Sequence, residues 1–256
     1  MRVTVLGSSA SYSGPGRACA GHFIEAAGAR VLFDCGNGTL SNLAQIEDPT
    51  HLDAVFITHN HPDHYADIYA LHAALRYSPY GMSGPMPLYL PEGLWERLPC
   101  LLSERGAADL AEAFVPITMH SDEPIAVGGL SVTPIAVEHT DPTFALIAES
   151  DEARLVYTSD TAPCGGVTRA AQKADLLLAE ATLPERFVGA APHMTATQAA
   201  QLALDTGARA LALVHIWPTT DRAEVAQIAT EVFGRRVMVA DEFDVFEIAT
   251  PGRKDD

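Results

Sequence analysis

The apolar run Asp53-Ala54-Val55-Phe56-Ile57-Thr58 passes without a linker into His59-Asn60-His61-Pro62-Asp63-His64. A short continuous apolar run of this kind reads as a strand buried on both faces, which belongs in a sheet covered on both sides. Four side chains able to ligate a metal follow on the turn that this strand anchors. His59 and His61, two apart on extended chain, point the same way and can grip one cation. Asp63 and His64, where the chain turns into a helix, can face a second. The segment therefore demands a sheet interior directly beneath a cluster of polar side chains.

The rest of the chain supplies that sheet. Short β-rich runs occupy 2–6, 22–26 and 30–34, the last ending in the turn cluster Asp34-Cys35-Gly36-Asn37-Gly38. Helices are expected over 39–46 and 64–77, and the Pro- and Gly-rich stretch 78–87 reads as a loop that could form an apolar lip. Strands are expected near 87–90, 114–119, 123–127, 130–138, 143–149 and 153–158. Helices over 163–173, 195–206 and 221–233 then alternate with strands over 175–179, 210–215, 236–240 and 244–248. This order suits an α/β protein built as a four-layer α/β/β/α sandwich better than one parallel sheet. Nothing marks a linker, so one domain is expected over 1–249, with a polar tail at 250–256.

Composition narrows the partners. Forty-eight per cent hydrophobic residues is enough for a packed core, and no apolar run is long enough for a membrane span. The opening Met1 to Gly7 alternates like a strand rather than a secretory leader, so a cytoplasmic protein is expected. Sixteen basic against 33 acidic residues give a net charge of −17, which repels polyanions and disfavours long nucleic acid as a partner. Cys19, Cys35, Cys100 and Cys164 form no C-x-x-C pair and are read as buried free thiols.

Three more polar residues close strands: His139 after 130–138, Asp160 after Leu155 to Ser159, and His215 after Ala210 to Val214. Strand ends are where sheet proteins gather their sites. The H-x-H-x-D-H motif followed by His, Asp and His at successive strand ends resembles the metallo-β-lactamase fold of binuclear hydrolases. The resemblance runs from the first strand to His215. It implies that His59, His61 and His139 hold one metal, that Asp63, His64 and His215 hold another, and that Asp160 bridges them. An aspartate there is absent from true β-lactamases of this fold. Ala179-Glu180-Ala181-Thr182 and His193-Met194-Thr195 are more similar to the glutamate loop and H-x-T loop of ribonuclease Z and its phosphodiesterase relatives. That branch implies a catalytic His193 oriented by Glu180, with Asp34 and Asn37 holding ligand histidines through hydrogen bonds.

The chain departs from ribonuclease Z in two respects. Bacterial forms insert a tRNA-binding arm between the ligands corresponding to His139 and Asp160, where only 20 residues lie here. The N-terminal loop also keeps one Arg and no Lys, in Ser13-Gly14-Pro15-Gly16-Arg17-Ala18. The expectation is a metal-dependent hydrolase with two divalent cations, zinc by donor chemistry or else manganese or iron. Its substrate would be a small ester, first a phosphodiester such as a cyclic nucleotide. Thioester, lactone or sulfate-ester hydrolysis, tRNA 3′ processing and a non-enzymatic metal-binding role are the alternatives. Relatives of ribonuclease Z suggest a homodimer. His22, His51 and His120 are expected at the surface, and His72 behind the ligands. Arg17 and Arg186 flank the site in sequence and could meet a phosphate, although exposure is the default for arginine.

Overall fold

The computed structural model describes residues 1–78, 84–151 and 153–249. The 250–256 tail and the centre of the 78–87 loop fall outside them. The strands are β1 (Arg2–Gly7), β2 (Gly21–Ala26), β3 (Ala29–Phe33), β4 (Ala54–Phe56), β5 (Met86–Leu90), β6 (Phe114–Thr118) and β7 (Ile125–Val127). They continue as β8 (Leu130–Ala136), β9 (Phe144–Ser150), β10 (Ala153–Tyr157), β11 (Leu176–Glu180), β12 (Leu211–Val214), β13 (Met238–Val239) and β14 (Val245–Glu247). The helices are α1 (Thr39–Leu43), α2 (Ile68–Tyr77), α3 (Glu104–Ala113), α4 (Gly165–Ala170), α5 (Ala196–Asp205) and α6 (Arg222–Phe233).

Two mixed sheets result, ordered β14-β1-β2-β3-β4-β5-β6 and β13-β12-β11-β10-β9-β8-β7. In the first, β3 to β6 run parallel and the β14-β1-β2-β3 side is antiparallel. In the second, β10 to β13 run parallel and β7 to β10 antiparallel. The parallel strands are apolar on both faces because each side chain has somewhere to go. Val31 and Phe33 of β3 enter the core between the sheets, while Leu32 packs with Leu71 and Leu110 of the first helical layer. Leu176 and Leu178 of β11 face the same inter-sheet core, and Leu177 and Ala179 pack under α4, α5 and α6. The layers are therefore helix, sheet, sheet, helix, as expected.

Several boundaries differ from the sequence reading. The chain from Pro62 to His64 is a single 3₁₀ turn, and α2 starts only at Ile68. The strand expected to reach residue 138 stops at Ala136, which leaves His139 on a loop. Helix α3 was not expected. It carries Gly106 and buries only Leu110 and Ala113, so its periodicity is weak, and Ser103 starts it by accepting from Gly106 N–H. Cys100 is exposed and Cys164 half-buried, rather than both being interior.

Candidate metal centre

The polar residues that end β3, β4, β10, β11 and β12 all emerge at the same rim, where the two sheets face each other. The structure brings His59, His61, His139 and Asp160 into one group, and Asp63, His64 and His215 into a second. A third group shares Asp160 and His215 with His193, and within each group the ligand atoms lie no more than 4.8 Å apart. Asp160 Oδ2 is 3.4 Å from His64 Nε2 and 3.7 Å from His59 Nε2, so it stands between the first two groups.

The outer hydrogen bonds decide which ring nitrogens face inward. His64 Nδ1–H donates to Asp34 Oδ2 at 2.7 Å, and His139 Nδ1–H donates to the Pro192 carbonyl at 3.0 Å. Both partners can only accept, which settles these tautomers. Thr58 Oγ1 gives its proton to Asp34 and receives one from Ser159 Oγ, so it accepts from His59 Nδ1–H at 3.1 Å. Thr182 Oγ1 gives its proton to the His215 carbonyl and accepts from His215 Nδ1–H at 2.9 Å. That nitrogen also passes 3.2 Å from Asp160 Oδ1, out of line for a hydrogen bond. All four histidines therefore turn Nε2 inward, the arrangement that orients imidazole as a metal ligand.

Those inward nitrogens meet other donors. His139 Nε2 is 3.1 Å from His61 Nδ1, and His64 Nε2 is 3.2 Å from His215 Nε2. His59 Nε2 and Asp160 Oδ1 are buried with no hydrogen-bond partner. Converging acceptors repel unless positive charge lies among them, and a mixed imidazole and carboxylate set suits a divalent transition metal. The residues present fit such a cation. Burial pushes His59, His61 and His139 below the usual imidazole range, so they stay neutral. Burial opposes charge on His64 as well, but with no cation bound the Asp160 and Asp34 carboxylates hold it well above that range, and a metal would take the place of that proton. Burial likewise works against charge on Asp160, and His215 and His64 overcome it to hold the carboxyl well below its usual range.

Backbone geometry supports the same rim. Asp34, Ser159, His215 and Ser11 have φ of 58°, 54°, 54° and 62°, the left-handed region that side chains avoid at a cost of about 1–3 kcal/mol each. Asp34, Ser159 and His215 sit just past a strand end, where the chain must turn abruptly, and Ser11 lies in the loop after β1 and aims its amide at Asp63. Asp34 is fully buried and accepts from Thr58 N–H, Thr58 Oγ1, His64 Nδ1 and Tyr157 OH.

Glu180 and His193 also meet. His193 Nδ1–H donates to Glu180 Oε1 at 2.9 Å, and the buried carboxylate further accepts from Thr161 N–H and Thr182 N–H. Burial opposes charge on His193, yet the Glu180 bond raises its pKa. Its ring stands 4.6 Å from that of His139 and 6.0 Å from that of His215, between the two donor groups. Thr195 caps α5 in a capping box with Gln198, which leaves His193 free for Glu180.

Other expectations are corrected. Asn37 does not hold a histidine; its exposed side chain accepts from Ser13 Oγ at 2.9 Å. His22 is not at the surface but buried edge-on against Tyr157, because β2 turns it into the inter-sheet core beside Phe33 and Val5. His72 donates to the Tyr69 carbonyl on its own helix. Arg17 pairs with Asp241 and Glu242, and Arg186 stacks over Phe187 at 4.8 Å. Sequence reasoning missed Thr58, Ser159, Thr182 and Ser11. The first two stand immediately before a metal-type donor, a signal that was available. The Pro192 carbonyl carries none, since every residue has one.

A family model described as a beta-lactamase superfamily domain matches residues 29–216. The chain belongs to the beta-lactamase superfamily. Within the superfamily it is 33% identical to the uncharacterized protein Rv1339 of Mycobacterium tuberculosis, over 98% of this chain and 94% of that one. It is 27% identical to a ribonuclease Z of Myxococcus xanthus, over 99% of both chains. The crystal structure of the metallo-beta-lactamase fold protein YhfI from Bacillus subtilis superposes with a TM-score of 0.84 at 26% identity, covering 96% of this chain and 98% of that one. Zinc-bound PqqB from Methylobacterium extorquens shares the fold at a TM-score of 0.77 and 18% identity, over 97% of this chain and all of the other. YhfI, 26% identical over 96% of this chain, is named as a probable metallo-hydrolase. Among the described residues, no helix is long and apolar enough to cross a membrane.

Proposed function

We propose that the protein is a phosphodiesterase with two divalent cations at this cluster, cutting a small phosphodiester such as a cyclic nucleotide. His59, His61 and His139 would hold one ion, Asp63, His64 and His215 the other, and Asp160 would span them. Zinc suits the donors best, with manganese or iron able to occupy the same nitrogen and oxygen ligands. When bound, such a pair supplies Lewis-acid charge for the phosphoryl oxygens and a water acidic enough to attack at neutral pH.

The His193–Glu180 bond carries the reading toward phosphorus. With Nδ1 committed to Glu180, the other ring nitrogen of His193 is left to serve the reaction. A proton held there can pass to the departing alkoxide, a poor leaving group that gains most from general-acid help. Glu180, immobilised by two backbone amides, keeps the ring in that orientation. A small substrate is favoured by β9 and β10, which occupy the interval between His139 and Asp160 and leave no length for an RNA-holding arm. The net charge of −17 acts in the same direction.

The test is release of p-nitrophenol from bis(p-nitrophenyl) phosphate by zinc- or manganese-loaded protein, followed by a panel of cyclic nucleotides. Asp160→Ala should abolish turnover, and His193→Ala should keep its metal while losing about 10²- to 10⁴-fold in kcat. Unchanged turnover in His193→Ala would remove that residue from the reaction. A metal-replete protein that cleaves thioesters, lactones or sulfate esters but no phosphodiester would overturn the proposal.

A further inference from the structure

We infer that Glu242, which lies beyond the family-matching stretch, is a positioning residue for the Asp63–His64–His215 donor group. This inference rests on the two-cation reading above. The Glu242 side chain is 7% exposed, and a carboxylate so buried needs partners. Its Oε1 accepts from Ser8 N–H at 3.1 Å, Ser8 Oγ at 3.2 Å and Ala18 N–H at 3.1 Å. Arg17 stands 3.4 Å from Oε2. The one side chain thus clasps both ends of the loop that joins β1 to β2.

That loop reaches the donor group at two points. The Ser8 carbonyl accepts from Ile216 N–H at 2.9 Å, and Ala10 N–H donates to the Ile216 carbonyl at 3.1 Å. Ile216 directly follows His215, whose left-handed backbone needs such bracing. Ser11 N–H donates to Asp63 Oδ2 at 2.8 Å. Two of the three donors in this group are therefore braced by residues 8–11, which Glu242 holds in place together with Arg222 and the Ser9 N–H bond to the Ala18 carbonyl. Among the described residues, no recorded hydrogen bond links residues 8–11 to His59, His61 or His139. Loss of the clasp should weaken one cation site and spare the other.

The experiment is metal stoichiometry by elemental analysis together with zinc competition against a chelating dye, on the full-length protein. Wild type should bind two ions. Glu242→Ala should lose about 10-fold in affinity for one ion and keep the other, the low end of the loss for removing a direct partner of a ligand, because Glu242 acts through Ser8. Glu242→Gln, which retains an accepting oxygen, should recover most of the loss. A general loosening of the fold would weaken both ions together, so equal loss at both, or none, overturns the inference while leaving the two-cation reading intact. A wild-type stoichiometry of one overturns that reading and this inference with it. Should Glu242→Ala not fold, Ser8→Ala removes one of the three bonds and should show a smaller loss at the same single site; no selective loss there overturns the inference.

Discussion

His22 lies in the inter-sheet core with both ring nitrogens unbonded, its edge against Tyr157. Burial pushes its pKa down to about 3, with His64 and His215 adding to the effect. An unfolded histidine titrates near ~6.5, so as pH falls below that value the unfolded chain takes up a proton that the folded chain refuses. Stability is therefore unaffected by His22 above that pH and is lost progressively between about 6.5 and about 3. His22→Phe removes this liability. Relative to wild type, the variant should gain up to about 2 kcal/mol more at pH 5 than at pH 7.5 in urea titrations. An equal difference at the two pH values would show that His22 is not held neutral. A surface position was expected for this histidine because it has no place in the metal-type motif. Only the pairing of β2 with both β1 and β3 reveals that it is enclosed.

Among the elements, the 181–194 segment has the most precise task. It starts from Glu180 at the end of β11, closes with Leu183 N–H on the Met194 carbonyl, and delivers His193 just ahead of α5. Thr195→Ala removes the cap and should cost about 1 kcal/mol of stability. Because His193 is two residues away, kcat should fall while metal content stays at the wild-type level. Thermal melts, steady-state kinetics and elemental analysis separate the two effects, and an unchanged kcat would mean that the cap does not hold the segment. Most elements were legible because burial on both faces writes long apolar runs, as in β3, β4 and β11. Helix α3 was not, since two buried positions and a glycine leave little period to read. The donors His59, His61, Asp63 and His64 were legible from spacing alone. The outer bonds of Thr182 and Pro192 were not, because they join segments 33 and 53 residues apart that meet only once the second sheet has formed.

At the scale of the whole molecule, the donors come from both sheets. His59, His61, Asp63 and His64 follow β4, whereas His139, Asp160 and His215 follow strands of the second sheet. Cations that bind only the folded arrangement must stabilise it by mass action, by about 4 kcal/mol at a thousandfold excess over Kd. Stripping with a chelator should therefore lower Tm by on the order of 10 °C, and added zinc or manganese should restore it. A Tm indifferent to chelation would mean that no cation bridges the seam. The same division has a consequence for biosynthesis. A chain still on the ribosome displays His59, His61, Asp63 and His64 long before β12 exists, so for most of translation the nascent protein carries half a chelator. The cluster closes only when His215 has left the exit tunnel and β12 has paired with β11, so the Asp63–His64–His215 group is completed well after the His59–His61–His139–Asp160 group.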